Sequence, residues 1–313
     1  MNILLSTDNN YVMPTGVLMH SIGENNKVNI DYYVMVNSDF DLNNKKILTD
    51  IAAKYCSNVT YYTINEEMTK ILPFEKEGMP SHVSVATYFR LFVTQFLPES
   101  VDRILYLDGD MIVRDSLAPL YNSNIEESPV VVAHDMDERI HLKTGRLTYE
   151  EQYGYFNAGM MLINVKYWRD NHCLQLFMNF IKENGNRIVF HDQDVLNCVF
   201  AKTKKWTSVT YNFQNGFIHK KGALHCPDGI DVRNCMHNPC IIHYTTSEKP
   251  WFEECMHPFK GEWLKYKAIS QWAKEPLQTK KVVGFKQNLR RLLIKIGVWK
   301  PRTPFIQVHL TNI

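Results

Sequence analysis

Short apolar runs, separated by stretches with helical periodicity, recur along the first half of the chain. They occupy residues 2–6, 30–36, 59–64, 103–108 and 129–134. Several of them are apolar at consecutive positions, which is typical of strands covered on both faces in a largely parallel sheet. Strands that alternate with helices predict an α/β sheet, and the first strand is expected to lie centrally within it.

The segment SHVSVATYFRLFVTQFLP, between the third and fourth runs, has the period of a helix. Ser81 or Ser84 could cap its start, and Pro98 closes its end. Arg90 lies inside this pattern. Taken alone, an arginine on a helix is more often solvated than functional.

Three blocks beyond residue 150 join an apolar run to a small polar cluster: YFNAGMMLINVKYW, RIVFHDQDVLNCVF and NPCIIHYTTSEKPW. Open α/β sheets place their ligands at strand ends, so these clusters are candidates for a site. Residues 212–240 are irregular in pattern and contain several glycines and prolines. They are predicted to form long loops at the rim of the site.

The composition is normal for a soluble globular protein, with 45% hydrophobic residues among 313. The N-terminus has no basic region before its short apolar run, and no apolar stretch could span a bilayer. We therefore expect a cytoplasmic protein without a signal peptide. The seven scattered cysteines are predicted to be reduced. Four lie between residues 226 and 255 beside His225, His237 and His257, so a zinc site is an alternative there, although no C-x-x-C pair occurs.

The net charge of +2 hides a basic C-terminal end. Residues 276–313 carry eight Lys or Arg and no acid, which leaves 27 basic and 33 acidic residues before them. Because the basic excess is confined to one end, nucleic-acid binding is not expected. Apolar residues recur there at helical spacing: Leu289, Leu292, Leu293 and Ile296. The tail, residues 266–313, is predicted to be a small basic helical segment that docks on an anionic inner leaflet or packs on the body, residues 1–265.

The fourth apolar run ends in Asp108, Gly109 and Asp110. Carboxylates at the edge of a core are unfavourable unless they are paired, hydrated or bound to a cation, and such oxygen ligands suit Mg²⁺ or Mn²⁺. Gly109 would let a ligand approach the backbone, although an Asp-Gly turn is the simpler explanation of the tripeptide. His243, at the end of CIIH, would add a nitrogen ligand and favour Mn²⁺, although a lone buried histidine more often pairs with a carbonyl.

Other polar residues in these blocks suit a nucleotide diphosphate. Lys249 follows the histidine by six residues and, with a divalent ion and Arg90, would neutralise phosphate oxygens. The loop after the first strand offers Asp8, Asn10 and Tyr11 to a base and ribose. Neither G-x-G-x-x-G nor G-x-x-x-x-G-K-[ST] occurs, so a nucleotide would be held by other means.

Six blocks in order resemble glycosyltransferase family 8, and in particular bacterial lipopolysaccharide galactosyl- and glucosyltransferases. They are STDNNYV, TYFRL, YLDGDMIVRDSL, YFNAGMMLINVKYW, HDQDVLN and HYTTSEKPW. The resemblance covers residue 1 to about 265 and implies a single GT-A-like domain, α/β with a mixed, mostly parallel central sheet. It also implies a retaining transferase that moves galactose or glucose from a UDP-sugar to a hydroxyl of a lipopolysaccharide, capsule or other glycan or glycolipid acceptor.

The resemblance implies a role for each matching residue. Asp108, Asp110 and His243 would bind Mn²⁺, with Mg²⁺ as the alternative, and Lys249 would reach the diphosphate. The other implied donor-binding residues are Asp8, Asn10 and Tyr11 at the uridine, and Arg90, Asn157, Asp192 and Gln193 around the sugar, with Gly109, Ala158 and Gly159 allowing close backbone approach.

One position departs from the family, and the route to retention is open. The family commonly has Gly three residues after the histidine, where this chain has Thr246, which would weaken donor binding if the position needs a glycine-only conformation. A covalent intermediate requires a carboxylate on the far face of the sugar, for which Asp192 is the candidate. The resemblance implies that the catalytic position at the favoured face is Gln193, whose amide is a poor nucleophile. The sequence therefore favours a front-face route in which the leaving phosphate takes the acceptor's proton.

Two other functions would use the same residues. A metal-dependent phosphohydrolase of nucleotide-diphosphosugars also needs a positioned water and a base, whereas the FNAG and HDQD blocks supply neutral hydrogen-bonding groups suited to sugar hydroxyls. A non-catalytic nucleotide-sugar-binding protein would not need such a metal-binding cluster. The sequence does not indicate which UDP-hexose, acceptor or linkage is used, or the oligomeric state.

Overall fold

The computed structural model describes residues 1–64, 85–221 and 232–280, with isolated positions between 289 and 310. The predicted caps Ser81 and Ser84 lie outside the described residues, as do residues 281–288 and several other positions of the tail. The strands in chain order are β1 (Asn2–Thr7), β2 (Asp31–Asn37), β3 (Asn58–Ile64), β4 (Arg103–Leu107), β5 (Met111–Val113), β6 (Val130–His134), β7 (Phe156–Asn164), β8 (Lys205–Trp206), β9 (Phe213–Gln214) and β10 (Ile241–His243).

The helices lie mainly between the strands. They are α1 (Val12–Asn25), α2 (Leu42–Lys54), α3 (Ala118–Tyr121), α4 (Glu138–Leu142), α5 (Val165–Asp170), α6 (Cys173–Asn184), α7 (His191–Val199), α8 (Val232–Met236) and α9 (Lys260–Ala268). The segment with helical period between the third and fourth predicted strands is helical as predicted, but it is a 3₁₀ helix, Val85–Gln95. The block HDQDVLN does not follow a strand, because its residues form the start of α7.

Within the described part of the chain, seven strands form the main sheet in the order β3-β2-β1-β4-β7-β6-β8. The pairs among β3, β2, β1 and β4 are parallel, whereas β7 runs antiparallel to both β4 and β6. The predicted α/β class, the mixed, mostly parallel sheet and the interior place of β1 are confirmed. Ile3 and Leu5 pack under α1 and α2, and Leu4 packs on the opposite face, which is why this strand is apolar at consecutive positions.

A second, smaller sheet joins β5, β10 and β9. β5 begins directly after Asp110 and runs antiparallel to β10, with Met111 opposite His243. The backbone N–H of Tyr244 donates to the Asp110 carbonyl at 3.0 Å and extends this pairing by one residue. The small sheet therefore brings the end of β10 beside the loop that ends β4, although the two are about 130 residues apart in the chain.

The described tail residues fall into two groups. Leu289, Leu292 and Ile296 are exposed, whereas Phe305 is buried against His219 and His257. One part of the tail thus packs on the body, and membrane docking by the other part stays a prediction. No helix among the described residues is long and apolar enough to cross a bilayer. The division at residue 265 also stays a prediction, and α9 spans that position.

His257 is a buried histidine with no charged partner in its immediate contacts among the described residues. Its ring meets the rings of Tyr244, Phe259 and Phe305, and its Nδ1 accepts a hydrogen bond from the Phe259 N–H at 3.1 Å. Burial lowers the pKa of His257 to about 3. The ring is therefore neutral in the folded protein at pH 7, and charging it would place an unpaired cation in an aromatic cluster.

His257 should make the fold sensitive to mild acid. Below pH 6.5 the unfolded chain binds a proton at this ring and the folded chain does not. The contribution of His257 to the free energy of unfolding therefore falls by about 1.4 kcal/mol per pH unit until the pH approaches 3. At pH 7 we expect the His257→Gln variant to have a lower free energy of unfolding than wild type, measured by urea denaturation. Between pH 6.5 and 5 the free energy of unfolding should fall less in this variant than in wild type. His237→Gln, at an exposed ring, is the matched control. A difference between wild type and His257→Gln that does not change with pH would contradict the prediction.

Candidate functional site

Asp108, Asp110 and His243 meet where the two sheets join. One ligand atom from each lies within 4.8 Å of the others. His243 Nε2 is 3.2 Å from Asp110 Oδ1 and 3.8 Å from Asp108 Oδ2. The structure therefore brings together the three predicted metal ligands. In the portions of the chain that are described, no second cluster of metal-ligating side chains forms. His225 and Cys226 of the zinc alternative lie outside the described residues, so that alternative stays a prediction.

Gly159 on β7 keeps the space between these ligands open. A Cβ at this position would lie 2.4 Å from His243 Cε1 and 2.6 Å from Asp108 Oδ2, so any other residue would fill the centre of the group. Two carboxylates and an imidazole suit a divalent ion such as Mn²⁺ or Mg²⁺, and three protein ligands leave coordination positions for a substrate. The residues present fit a divalent cation.

Asp110 is stabilised as an anion by its neighbours. Lys249 Nζ donates to Asp110 Oδ2 and to the carbonyl of Tyr244. Burial by itself would raise the pKa of Asp110, but Lys249 and His243 outweigh burial and hold that pKa below its usual range. The carboxylate therefore stays ionised at neutral pH, and Lys249 is held beside the candidate metal site.

Arg90 is buried, not solvated, at 5% exposure. Its guanidinium donates to the Ala158 carbonyl and to Asp108 Oδ1, and its Nε lies 3.0 Å from Asp192 Oδ2. It also stacks on the ring of Tyr106, whose hydroxyl donates to the same Asp108 oxygen at 2.6 Å. These contacts occupy Oδ1 of Asp108 and leave Oδ2 to face His243.

Asp192 and Gln193 differ in what they offer to a substrate. Asp192 is 1% exposed, and burial raises its pKa to about 7 although Arg90 favours the ionised form. Gln193 is only partly buried. Its Oε1 accepts from the Ala158 N–H at 3.0 Å, and its Nε2 donates to Asp135 Oδ2 at 3.3 Å. Both side chains lie in the first turn of α7, which packs beside β7 through hydrogen bonds of Gln193 to Ala158 and of Asn197 to Phe156.

Asp135 and Asn212 belong to the same network, although sequence reasoning missed them. Asp135 follows β6 and accepts from Asn157 Nδ2 at 3.1 Å. Asn212 is fully buried, and its Oδ1 lies 2.9 Å from Nδ1 of His243. Asp135 directly follows the apolar run 129–134, much as Asp108 stands at the end of the run 103–108. An acid at the end of an apolar run could therefore have identified Asp135 as a candidate site residue. Asn212 lies in the irregular segment and gives no such signal.

The loop after β1 forms one wall of a cavity of about 1020 Å³. Asp8 Oδ1 accepts from the backbone N–H groups of Asn10 and Tyr11 and so shapes the turn. The Tyr11 ring meets Trp251 edge-on at 5.5 Å, and burial, together with the nearby carboxylates, raises the Tyr11 pKa above its usual range. The cavity is lined by Asn10, Tyr11, Thr245, Thr246, Ser247, Lys249, Trp251, Phe252, Gln278, Thr279 and Lys280.

The structure adds detail at two positions singled out in the sequence. A Cβ at Gly109 would lie 2.8 Å from Thr15 Oγ1, so α1 packs closely against this glycine, and the approach of a donor to its backbone stays a prediction. Thr246 is not among the non-glycine residues with positive φ, and its Oγ1 accepts from Asn215 Nδ2 at 2.8 Å. The position therefore does not use a glycine-only conformation.

Comparison with known proteins identifies the family of this chain. The model of the family described as "Glycosyl transferase family 8" matches residues 2–255. General stress protein A of Bacillus subtilis (strain 168) is 26% identical over 282 residues, which is 87% of this chain and 94% of that protein. Lipopolysaccharide 1,2-glucosyltransferase of Escherichia coli (strain K12) is 27% identical over 303 residues, which is 94% of this chain and 86% of that protein.

One further relative and one solved structure are also similar to this chain. Lipopolysaccharide 1,3-galactosyltransferase of Salmonella typhimurium is 26% identical over 279 residues, covering 87% of this chain and 79% of that protein. The crystal structure of galactosyltransferase LgtC with donor and acceptor sugar analogs superposes with a TM-score of 0.74 at 22% identity. The match covers 88% of this chain and 98% of the LgtC chain. This likeness shows a shared fold.

Gly159→Ala should weaken metal binding without unfolding the protein. The added methyl group occupies the space between His243 and Asp108, so we expect the affinity for Mn²⁺ to fall by about ten-fold or more in a calorimetric titration. Gly261→Ala is the matched control, because a Cβ there meets nothing within 4 Å. Equal Mn²⁺ affinity of Gly159→Ala and wild type would show that the ion does not lie between these ligands.

Proposed function

Because the chain belongs to glycosyl transferase family 8, we propose that it moves galactose or glucose from a UDP-sugar to a hydroxyl of a lipopolysaccharide-type glycan, with retention of configuration. One observation carries this proposal. Asp108, Asp110 and His243 lie within 4.8 Å of one another, and Lys249, which is bonded to Asp110, lines the cavity beside them. The relatives named as lipopolysaccharide transferases support the class of acceptor.

The diphosphate of the donor is bound next to Lys249. Asp108, Asp110 and His243 would hold a divalent ion, Mn²⁺ in this proposal, which when bound would supply a Lewis acid to the leaving diphosphate. Lys249 adds a positive charge on the side of Asp110. This charge acts where negative charge develops as the glycosidic bond lengthens, and such stabilisation is usually the largest catalytic term.

The nucleoside occupies the cavity lined by Asn10 and Tyr11. The Tyr11 ring gives the base an aromatic surface, held in place by its edge-on contact with Trp251. Asp8 maintains the turn through two backbone hydrogen bonds and adds a carboxylate near the ribose. The cavity volume of about 1020 Å³ leaves room for a nucleotide and part of the sugar.

The donor sugar lies over Ala158 and Gly159, within reach of Asn157 and Gln193. Asn157 and Gln193 are partly buried and offer amide groups to the sugar hydroxyls. Arg90 acts indirectly, because it donates hydrogen bonds to Asp108 and the Ala158 carbonyl and lies in ion-pair contact with Asp192. In this respect it positions the metal ligand and the backbone on which the sugar rests.

Retention follows a front-face route. The 1% exposure of Asp192 and its contact with Arg90 leave no free carboxylate to attack the sugar from that residue, and Gln193 is a poor nucleophile. The bond between the anomeric carbon and the β-phosphate oxygen breaks while the acceptor oxygen bonds to the same carbon on the same face. The acceptor's proton passes to the departing phosphate oxygen. Gln193, oriented by Asp135 and the Ala158 N–H, contacts the sugar during this exchange.

A donor and acceptor screen tests the proposed reaction. With Mn²⁺, we expect UDP release from UDP-galactose or UDP-glucose to depend on an added lipopolysaccharide core oligosaccharide and to stop with a chelator, and NMR should show the donor's anomeric configuration in the product. The N-acetylated UDP-hexoses complete the screen. Free hexose released at the same rate without acceptor would support the phosphohydrolase alternative. Donor binding without turnover would support the non-catalytic one.

Lys249→Met tests the charge beside the leaving group. Removal of one charged group that acts in the transition state typically costs about 10²–10³ in rate, and we expect a fall of this order in kcat for the preferred donor. Lys265→Met is the control, because Lys265 is exposed on α9. A Lys249→Met enzyme that is as fast as wild type would exclude a role for this charge in the chemical step.

A further inference from the structure

Asn212 lies between the candidate metal ligand His243 and the strand that carries Asn157. It follows the 3₁₀ helix Val209–Tyr211 and is fully buried. Its Nδ2 donates to Asn157 Oδ1 at 3.0 Å, and its Oδ1 lies 2.9 Å from His243 Nδ1. A buried amide with a partner on each side has only one orientation that satisfies both.

The orientation of the Asn157 amide is determined by groups whose roles are certain. The Asp135 carboxylate can only accept, and it receives a hydrogen bond from Asn157 Nδ2. The backbone N–H of Gly159 can only donate, and it reaches Asn157 Oδ1 at 3.0 Å. Asn157 Oδ1 is therefore an acceptor, and the group of Asn212 that faces it must be the amide nitrogen.

The oxygen of Asn212 then faces His243. Because this oxygen accepts, Nδ1 of His243 carries a hydrogen, and in the neutral ring the lone pair is on Nε2. Nε2 is the ring atom that faces the carboxylates, 3.2 Å from Asp110 Oδ1. An imidazole binds a metal through its unprotonated nitrogen, and the hydrogen bond at the other nitrogen sets which one that is.

We infer that Asn212 is a positioning residue that holds His243 in the tautomer and ring orientation needed to bind a divalent cation through Nε2. The inference rests on the proposed metal site and deepens it. Asn212 does not touch the ion or the donor. Asp135 and Gly159 determine which atoms of the Asn157 amide donate and accept. Asn157 in turn orients the amide of Asn212, and Asn212 orients the ring of His243.

Three substitutions separate this role from a purely structural one. Asn212→Leu keeps a side chain of similar volume, whereas Asn212→Ala removes most of that volume. Both substitutions remove the oxygen that accepts a hydrogen bond from Nδ1 of His243. Asn212→Asp retains that oxygen while losing the donation to Asn157. Asn164→Leu is the matched control, because Asn164 is also buried and hydrogen-bonded, to the Tyr167 N–H and the Ile125 carbonyl, away from the site.

The measurement uses Mn²⁺ alone, titrated into the full chain and followed by electron paramagnetic resonance. Loss of a partner that orients a metal-bound histidine typically lowers metal affinity about 10- to 100-fold, and we expect this fall for Asn212→Leu and Asn212→Ala. Asn212→Asp and Asn164→Leu should bind within a few-fold of wild type. Spin-echo modulation from a directly bound imidazole nitrogen should be present in wild type and Asn212→Asp and reduced in the other two Asn212 variants.

The results also distinguish this inference from the proposed function. Wild-type affinity and modulation in Asn212→Leu or Asn212→Ala would overturn the inference and leave the metal-dependent transfer intact. An equal loss in Asn212→Asp would overturn it as well, since a merely structural role predicts that outcome. Failure of the wild type to bind Mn²⁺ would overturn both. If Asn212→Leu does not fold, judged by circular dichroism, Asn212→Ala provides the same comparison.

Discussion

The register between β5 and β10 determines whether a site exists at all. Met111 pairs with His243, so the residue before β5, Asp110, stands beside the end of β10. Side chains alternate between the two faces of a strand, and a slip of one residue would turn His243 away from both carboxylates. The apolar residues of this small sheet, such as Ile112 and Ile242, are fully buried and hold that register. Packing in a short sheet thus sets the geometry of a charged site.

Charge balance around the site explains why so many ionised groups can be buried. Arg90 lies between Asp108 and Asp192, and Lys249 bonds Asp110. A buried charge is stable only when it is paired and hydrogen-bonded, and each of these carboxylates has a cationic partner. His243 stands opposite two carboxylates, where a divalent ion would supply the remaining positive charge. These pairings hold the charged groups in place, which fits a site whose catalysis depends on preorganised electrostatics.

The sequence predicted the sheet and the ends of its strands well, because consecutive apolar residues and the acids that follow them are local signals. Asp108 and Asp110 could be identified this way, and Asp135 could have been. Local spacing could not reveal that Arg90 is buried, since its burial depends on β4, β7 and α7 packing around it. HDQDVLN looked like a strand end because an apolar run precedes it. Asn212 could not be recognised, because its importance comes only from two partners, 55 and 31 residues away.

The cavity wall is assembled from distant parts of the chain. Gln278 exchanges backbone hydrogen bonds with Trp251 and Glu253, and this pairing sets residues Gln278–Lys280 against the loop that carries Lys249. None of these C-terminal residues contributes a ligand to the metal group. In evolutionary terms, substitutions in this segment would reshape the cavity wall without replacing any of the three clustered side chains, so the two features can vary independently.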